Sequence, residues 1–427
     1  MSRALSLGVL VLTVTAPGAA QNLQPLSLRD AEARAMQNHP QVLAGDYLAQ
    51  AGAEVTREAR SAYFPTVYGS VTGAEAQSGS RIAAGGLNNP IILDRAAAGV
   101  SVSQLLTDFG RTSDLVETAS LRAQALRQSA LVDRADVLLR VDRAYFSAQR
   151  SQAILRVAQE TVGARQLVTD QVGALAQSNL RSGLDVSFAR VSLSEAQLLL
   201  LQARNDQSAA FANLAAALGQ PDASTYTLVD EPLPDAPPSD PAGLVAQALR
   251  DRSDVASERL ARESAAKFAE AERALWYPTI SAAAAAGLAP YRQAGINSSY
   301  SAIGVNVSVP LTNGGLFAAR HTEASLRARA EAERLRDLED RVSRDVRVAL
   351  LDAQTAFQRL DLTNQLLEQA AQAQELAEAR YNLGLSSIVE LTQAQLNKTR
   401  AEIEQASARY DYQARTSSLR YQLGALK

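Results

Sequence analysis

The sequence predicts a mostly α-helical chain with a small β part, laid out as two internal repeats. Three observations carry that prediction. Residues 316–383 and 385–423 contain no Gly and no Pro, and are rich in Ala, Leu, Arg, Glu and Gln, the strong helix formers. Stretches such as Gly99-Val-Ser-Val-Ser103 and Ile303-Gly-Val-Asn-Val-Ser-Val309 alternate apolar with small polar residues, the two-residue period of a strand with unlike faces. Motifs of different kinds also recur at fixed separations along the chain.

Taken in order, residues 1–20 begin with a positive Arg3, run apolar from Ala4 to Val14 and close on Gly18-Ala19-Ala20. That is the layout of a secretory signal peptide, cut near Ala20 and Gln21. Repeat one follows over residues 21–229, a proline-rich linker over 230–241 and repeat two over 242–427. The repeats are read from paired motifs. Ser61-Ala-Tyr-Phe-Pro-Thr66 returns as Ala274-Leu-Trp-Tyr-Pro-Thr279, 213 residues on. Val100-Ser-Val-Ser103 returns as Val305-Asn-Val-Ser308, and Ala119-Ser-Leu-Arg-Ala123 as Ala324-Ser-Leu-Arg-Ala328, both 205 residues on. The change of offset falls between Pro65 and Val100, so repeat one carries the longer loop there. The linker holds five prolines in twelve residues, which makes it extended, since proline removes a backbone donor and fixes φ.

Each repeat is expected to hold a helix, a β-hairpin and a long helical hairpin. Pro65 and Pro278 mark helix giving way to strand, and Gly110, Pro310 and Gly314-Gly315 mark the return to helix. The strands are read around Val67–Thr72, Gly99–Ser103, Ile280–Leu288 and Ile303–Val309. Ile280–Leu288 is mostly alanine and is called a strand mainly from the repeat. Loops are read at Ala74–Arg95 and Ala289–Tyr300. A long helix is read over residues 111–162, and one through residues 316–383 would span about 100 Å at 1.5 Å per residue. Its apolar residues Leu335, Leu338, Val342, Val346, Ala349 and Ala353 recur at mixed three and four spacings, a coiled-coil seam.

Four strands cannot close a barrel, for which about eight is the practical minimum. An open sheet cannot sit in lipid with unpaired edges. Several chains must then share one barrel, and three would supply twelve strands. A hairpin sheet packed on helices in a soluble protein is the competing reading. Ser, Asn, Gly and Thr on the second face suit a wet lumen instead.

Composition excludes much. The chain of 427 residues has no cysteine, only His39 and His321 as histidines, and a net charge of -3. Disulfides and thiolate chemistry are excluded, no metal-ligand histidine pair exists, and the basic excess of a nucleic-acid binder is missing. No phosphate-binding glycine loop and no nucleophile elbow occur. The reading is not an enzyme, with no cofactor, no metal site and no nucleic-acid partner.

The order of signal peptide, helix, Pro-flanked hairpin and long helical hairpin, given twice, resembles the TolC-like outer-membrane efflux proteins. The stretch Arg380-Tyr-Asn-Leu-Gly-Leu-Ser-Ser-Ile-Val-Glu-Leu391 with Gln393-Ala-Gln-Leu396 is similar to that family's turn between long helices. The Tyr-Pro-Thr of repeat two and the matching Phe-Pro-Thr of repeat one are a second shared feature. The resemblance implies a homotrimer with a twelve-stranded barrel in outer-membrane lipid, continued by a helical tunnel through the periplasm. It implies a passive exit duct for small molecules handed over by an inner-membrane transporter and a periplasmic adaptor. A duct for type I protein secretion shares the architecture. A periplasmic coiled-coil scaffold is the alternative of a different class.

Two tips follow from turn chemistry. Gly384 is the only Gly or Pro between Leu316 and Leu423, and the 205-residue offset sets Asn179 opposite it. Gly and Asn are the residues that tolerate positive φ. The turns are therefore Asn179-Leu180-Arg181-Ser182 and Gly384-Leu385-Ser386-Ser387, and the resemblance makes them adaptor-docking tips. It also implies a gate at Asp185, Tyr381, Glu390 and Gln393, with Arg409 further along the last helix. Asp185 and Glu390 hold matching places, so threefold symmetry would set six carboxylates in a ring that favours cations. Ser386 stands where some relatives have arginine, and Gln393 where some have a second acid. An ordinary solvated helix face is the competing reading of these charges.

Overall fold

The computed structural model describes residues 25–75, 77, 94–220, 226–292, 294–295 and 297–426. The expected signal peptide and most of the expected loop at Ala74–Arg95 lie outside the described residues. In chain order the elements are β1 (Pro25–Leu26), α1 (Leu28–Asn38), α2 (Pro40–Ser61), β2 (Thr66–Ala74), β3 (Arg95–Thr107), α3 (Arg111–Gln177), α4 (Gly183–Ala217) and β4 (Thr227–Leu228). They continue as α5 (Pro241–Asp251), α6 (Ser253–Arg273), a 3-10 turn (Ala274–Trp276), β5 (Thr279–Arg292), β6 (Ser299–Ser308), α7 (Leu316–Asn382) and α8 (Ile388–Gln422).

Helices dominate, and their lengths match across the chain. Helices α3 and α7 have 67 residues each, and α4 and α8 have 35 each. A 67-residue helix is about 100 Å long, so the sheet at one end of α3 and the turn at the other are that far apart. Each long helix starts behind a glycine in the left-handed region, Gly110 at φ 102° and Gly315 at φ 85°. The prediction of helix over 111–162 stopped too early. Helix α3 continues through Gly163 and Gly173, because a single glycine costs only about 1 kcal/mol in a helix interior and the packing of the rest outweighs it.

The seams between long helices are built from small residues seven apart. Ala189, Ala196, Ala203 and Ala210 are buried on α4, and Ala356, Thr363, Ala370 and Ala377 on α7. Small side chains at heptad spacing let helices approach closely. Larger apolar residues gather where the shorter helices pack on the long ones. One cluster joins Leu26, Val42, Val137, Tyr145 and Leu214, and another joins Val255, Val342, Val346, Leu350 and Leu419.

The linker is extended and held down on α8. The Tyr412 hydroxyl donates to the Asp235 carbonyl, the Gln413 amide to the Glu231 carbonyl at 2.9 Å, and Arg409 pairs with Asp230 at 2.7 Å. Tyr145 donates to the carbonyls of Leu26 and Val229, tying β1 and β4 to α3. Pro241, read as the last linker residue, is instead the first residue of α5. Asp240 caps that helix by accepting the N–H groups of Ala242 and Gly243, and proline at the first helical position loses no bond.

The four longer strands form one antiparallel sheet in the order β2-β3-β5-β6. Strand β5 departs furthest from its local residue preference. The alanine-rich segment is the longest strand, 14 residues, and it sits between β3 and β6. Pairing on both edges overrides the weak strand preference of alanine. It also runs four residues past Leu288 into the expected loop. The register puts Val67, Val102, Ala284 and Ile303 in one row across the sheet, and Tyr68, Ser101, Ala285 and Ala302 in the next, on the other face. Both faces are open in the single chain, with Ile303 87% exposed on one and Tyr68 66% exposed on the other. On the small-residue face, the Tyr300 ring lies across Gly99 and Gly287, where a Cβ would come within 2.4 Å of the Tyr300 hydroxyl or closer.

Candidate functional site

The turns between the long helices lie together at the end opposite the sheet. Both use one backbone solution. Asn179 has φ 56° and Gly384 φ 73°. The Leu180 N–H returns to the Leu175 carbonyl at 2.9 Å, and the Leu385 N–H to the Arg380 carbonyl at 2.8 Å. These bonds satisfy carbonyls that a helix end would otherwise leave orphaned. Ser182 and Ser387 then cap the next helices, accepting the N–H groups of Asp185 and Glu390 at 3.1 and 3.3 Å. Leu180 and Leu385 project from the tips, 69% and 66% exposed.

The side chains around these turns differ. The Asp185 carboxylate folds back on Ser182, accepting its N–H at 3.1 Å and its hydroxyl at 2.9 Å, which completes a reciprocal capping box. Glu390 instead reaches Arg380 at 3.2 Å. Tyr381 is buried under the tips with Val172, Ala189, Ile388 and Leu391. Arg181 crosses from the first tip to the second. Its guanidinium donates to the Tyr381 carbonyl at 2.7 Å and lies 4.2 Å from the centre of the Tyr381 ring. Burial pushes the Tyr381 phenol up, Arg181 offsets part of that, and Asp185 adds to it. The Tyr381 hydroxyl and the Ser386 hydroxyl have no hydrogen-bond partner among the described residues.

The structure therefore brings Arg181, Asp185, Tyr381 and Glu390 to one end of the molecule. Gln393, one turn above Glu390, is exposed and donates to Asn397 at 3.0 Å. Arg409 is set apart. It lies 19 residues beyond Glu390 on α8, about 30 Å along the axis, where it pairs with linker Asp230. The bridge from Arg181 to Tyr381 was not foreseen. A signal for it existed: the 205-residue offset sets Arg181 opposite Ser386, where the resemblance led one to look for an arginine.

A second unforeseen feature lies well above the tips. Asp142 of α3 is fully buried. Glu32 of α1 is beside it, with Ser417 and Arg420 of α8 as further neighbours. Burial, and then the Asp142 charge, push the Glu32 carboxyl up to about 7. Burial also raises Asp142. His39 is a helix cap, its Nδ1 accepting the Gln41 N–H at 3.2 Å, and burial and Arg140 lower its pKa. Among the described residues no group of three acids or histidines is placed to hold a metal ion.

A sheet with one apolar and one small-residue face stands at the end of helices about 100 Å long, a face pattern that suits contact with lipid on one side and water on the other. Among the described residues no helix is long and apolar enough to cross a membrane. The profile of the outer membrane efflux protein family matches residues 33–220 and 244–425, and the chain belongs to that family. It is 27% identical over 419 residues to protein CyaE of Bordetella pertussis, covering 94% of this chain and 84% of that one. It is 25% identical to the toluene efflux pump outer membrane protein TtgC of Pseudomonas putida, covering 79% and 70%. Among solved structures, CusC superposes with a TM-score of 0.81 at 19% identity, covering 93% of this chain and 92% of that one. VceC of Vibrio cholerae superposes with a TM-score of 0.79 at 19% identity, covering 93% and 96%. The protein is thus a TolC-like outer-membrane transport protein, with its helical part in the periplasm. The family is one of outer-membrane channels, not enzymes.

Proposed function

We propose that three copies of this chain assemble into the passive exit duct of a tripartite efflux system. One observation carries the reading. Each chain offers a four-stranded sheet open at both edges, β2 and β6, with an apolar and a small polar face. Three such sheets edge to edge make a closed twelve-stranded barrel, which satisfies every strand in lipid. The long helices continue it as a periplasmic tunnel, and the linker lies on the outside of α8 as part of a belt. The tips Asn179–Ser182 and Gly384–Ser387 dock a periplasmic adaptor through Leu180 and Leu385. An inner-membrane transporter supplies the energy and the small-molecule substrates.

The gate is the cluster of Arg181, Asp185, Tyr381 and Glu390, with Gln393 lining the approach. Arg181 latches one helical hairpin to the other. Asp185 and Glu390 ring the opening and favour cations, an effect that Arg380 beside Glu390 moderates. Arg409 serves the belt and not the gate. The test is conductance of the purified protein in planar bilayers. Conducting trimers are expected, with cation preference lowered by Asp185→Asn together with Glu390→Gln. A protein that stays monomeric and silent overturns the duct. Restored export of a secreted protein, with no change in resistance to small toxic molecules, would move the duct to type I secretion.

A further inference from the structure

Arg165 occupies a position that its surroundings reserve for small or apolar residues. On α3 it sits between Ala158 and Val172, seven residues from each, and all three are buried. The residue 205 positions on is Ala370, also buried. Arg165 is only 5% exposed, its Nη1 has no hydrogen-bond partner among the described residues, and burial lowers its pKa. Glu195 is close enough to act on its charge but makes no ion pair with it among those described. A buried guanidinium N–H without a partner is costly, so a complementary acceptor is called for.

The surroundings supply room for one. Arg165 lines a groove of about 560 Å³ between α3, α4 and α8, with Phe188, Val191, Leu199, Leu396 and Ile403 giving apolar walls. That volume falls among those of ordinary small-molecule sites. The charged lining is Arg165, Arg400 and Glu195, one positive unit in excess. Helices α3 and α8 run antiparallel here, and the Thr161 and Thr399 hydroxyls meet at 3.4 Å. One turn toward the tips from that pair, Arg165 faces the level of Gln395, whose buried Oε1 is also without a partner. The Gln395 amide offers its oxygen or, turned over, its nitrogen.

We propose that this groove is a binding subsite for a compact apolar carboxylate, the acid group on Arg165 and the hydrocarbon against Phe188 and Leu396. The inference does not depend on the duct reading. The test is calorimetric titration of the purified full chain in detergent with 2-naphthoate, and with 2-naphthamide as the neutral isostere, subtracting protein-free micelles. The acid is expected to bind at least about tenfold more tightly than the amide, the scale of one charge-assisted hydrogen bond. Arg165→Gln should erase that preference, and Glu195→Gln should strengthen acid binding by removing a like charge. Thermal melting checks that Arg165→Gln folds. Should it not, Glu195→Gln and Val191→Trp, which narrows the groove without touching Arg165, decide the matter. Equal binding of acid and amide overturns the proposal, as does acid binding that none of these changes alters. A crystal structure with Arg165 bonded directly to Gln395, or with a neighbouring copy's side chain filling the groove in the presence of naphthoate, also overturns it.

Discussion

The first and second halves of the chain build their long helices to the same lengths and their tips on the same turn, yet load them with different charges. In the first half the turn residue is Asn179, and Arg181 leaves its own tip to reach Tyr381 of the other. In the second half the turn residue is Gly384, and the position matching Arg181 is Ser386, whose hydroxyl is buried without a partner among the described residues. Above the tips the halves diverge again. The first holds the half-buried Glu32 beside the buried Asp142, and the matching positions of the second are Val245 and Arg347. Backbone geometry is thus shared, while the polar contacts laid over it differ from one half to the other.

The largest expected effect comes from removing the Arg181 bridge to Tyr381. Arg181→Ala deletes a charge-assisted hydrogen bond and a cation–π contact, together on the order of 2 kcal/mol for a half-buried group. In bilayers the variant should show longer open times than the parent. The exchange Arg181→Ser with Ser386→Arg sharpens the comparison. Recovery of the parent's conductance would show that either half can carry the latch, and failure would tie it to the geometry of the first tip.

The acid pair gives the next effect, diluted by the water that still reaches Glu32. Glu32 titrates near 7 in the folded chain, against an ordinary 4.5. The folded state therefore holds a proton that the unfolded state releases. Its contribution to stability is complete below about pH 4.5 and is lost as pH rises through about 7. Melting temperature should fall between pH 5 and pH 8 in the parent, and Glu32→Gln should flatten that slope. An unchanged slope would remove the pair from the account of how the halves differ.

How much of this was legible in the sequence depends on what kind of signal each feature leaves. The long helices announce themselves through the absence of Gly and Pro over residues 316–383, and the tips through the single Gly384 in that region. Strand β5 was legible only through the repeat, because alanine favours helix locally and its neighbours β3 and β6 make it a strand. In the first half the run free of Gly and Pro, residues 111–162, is shorter than α3, since Gly163 and Gly173 are carried inside the helix up to the turn at Asn179. The contact of Arg181 with Tyr381 and that of Glu32 with Asp142 join residues at least 110 positions apart. Single charged residues on helices have no periodic signature, so such pairs become visible only when the helices are laid side by side.

Turn chemistry supplies the third test. Gly384→Val forces a β-branched residue to φ 73°, which costs about 1–2 kcal/mol. Asn179→Gly relieves a milder strain at φ 56° and should be neutral or slightly stabilising. Thermal melting of the two variants should therefore move in opposite directions or differ clearly in size. Equal losses would mean that the tips are held by their side chains and not by the left-handed turn.

The smallest effect separates the two caps. Ser182 takes part in a two-way box with Asp185, whereas Ser387 makes one longer bond to the Glu390 N–H while the Glu390 side chain is spent on Arg380. Ser182→Ala should therefore cost about 1 kcal/mol, and Ser387→Ala about half of that. Hydrogen exchange at the first turns of α4 and α8 reads each cap directly. Faster exchange at α4 in Ser182→Ala than at α8 in Ser387→Ala would confirm that the first tip is the more firmly built, which is what a tip that sends Arg181 across to its neighbour requires. The reverse order would place the anchored side of the latch on the second tip, with Tyr381 as the fixed point.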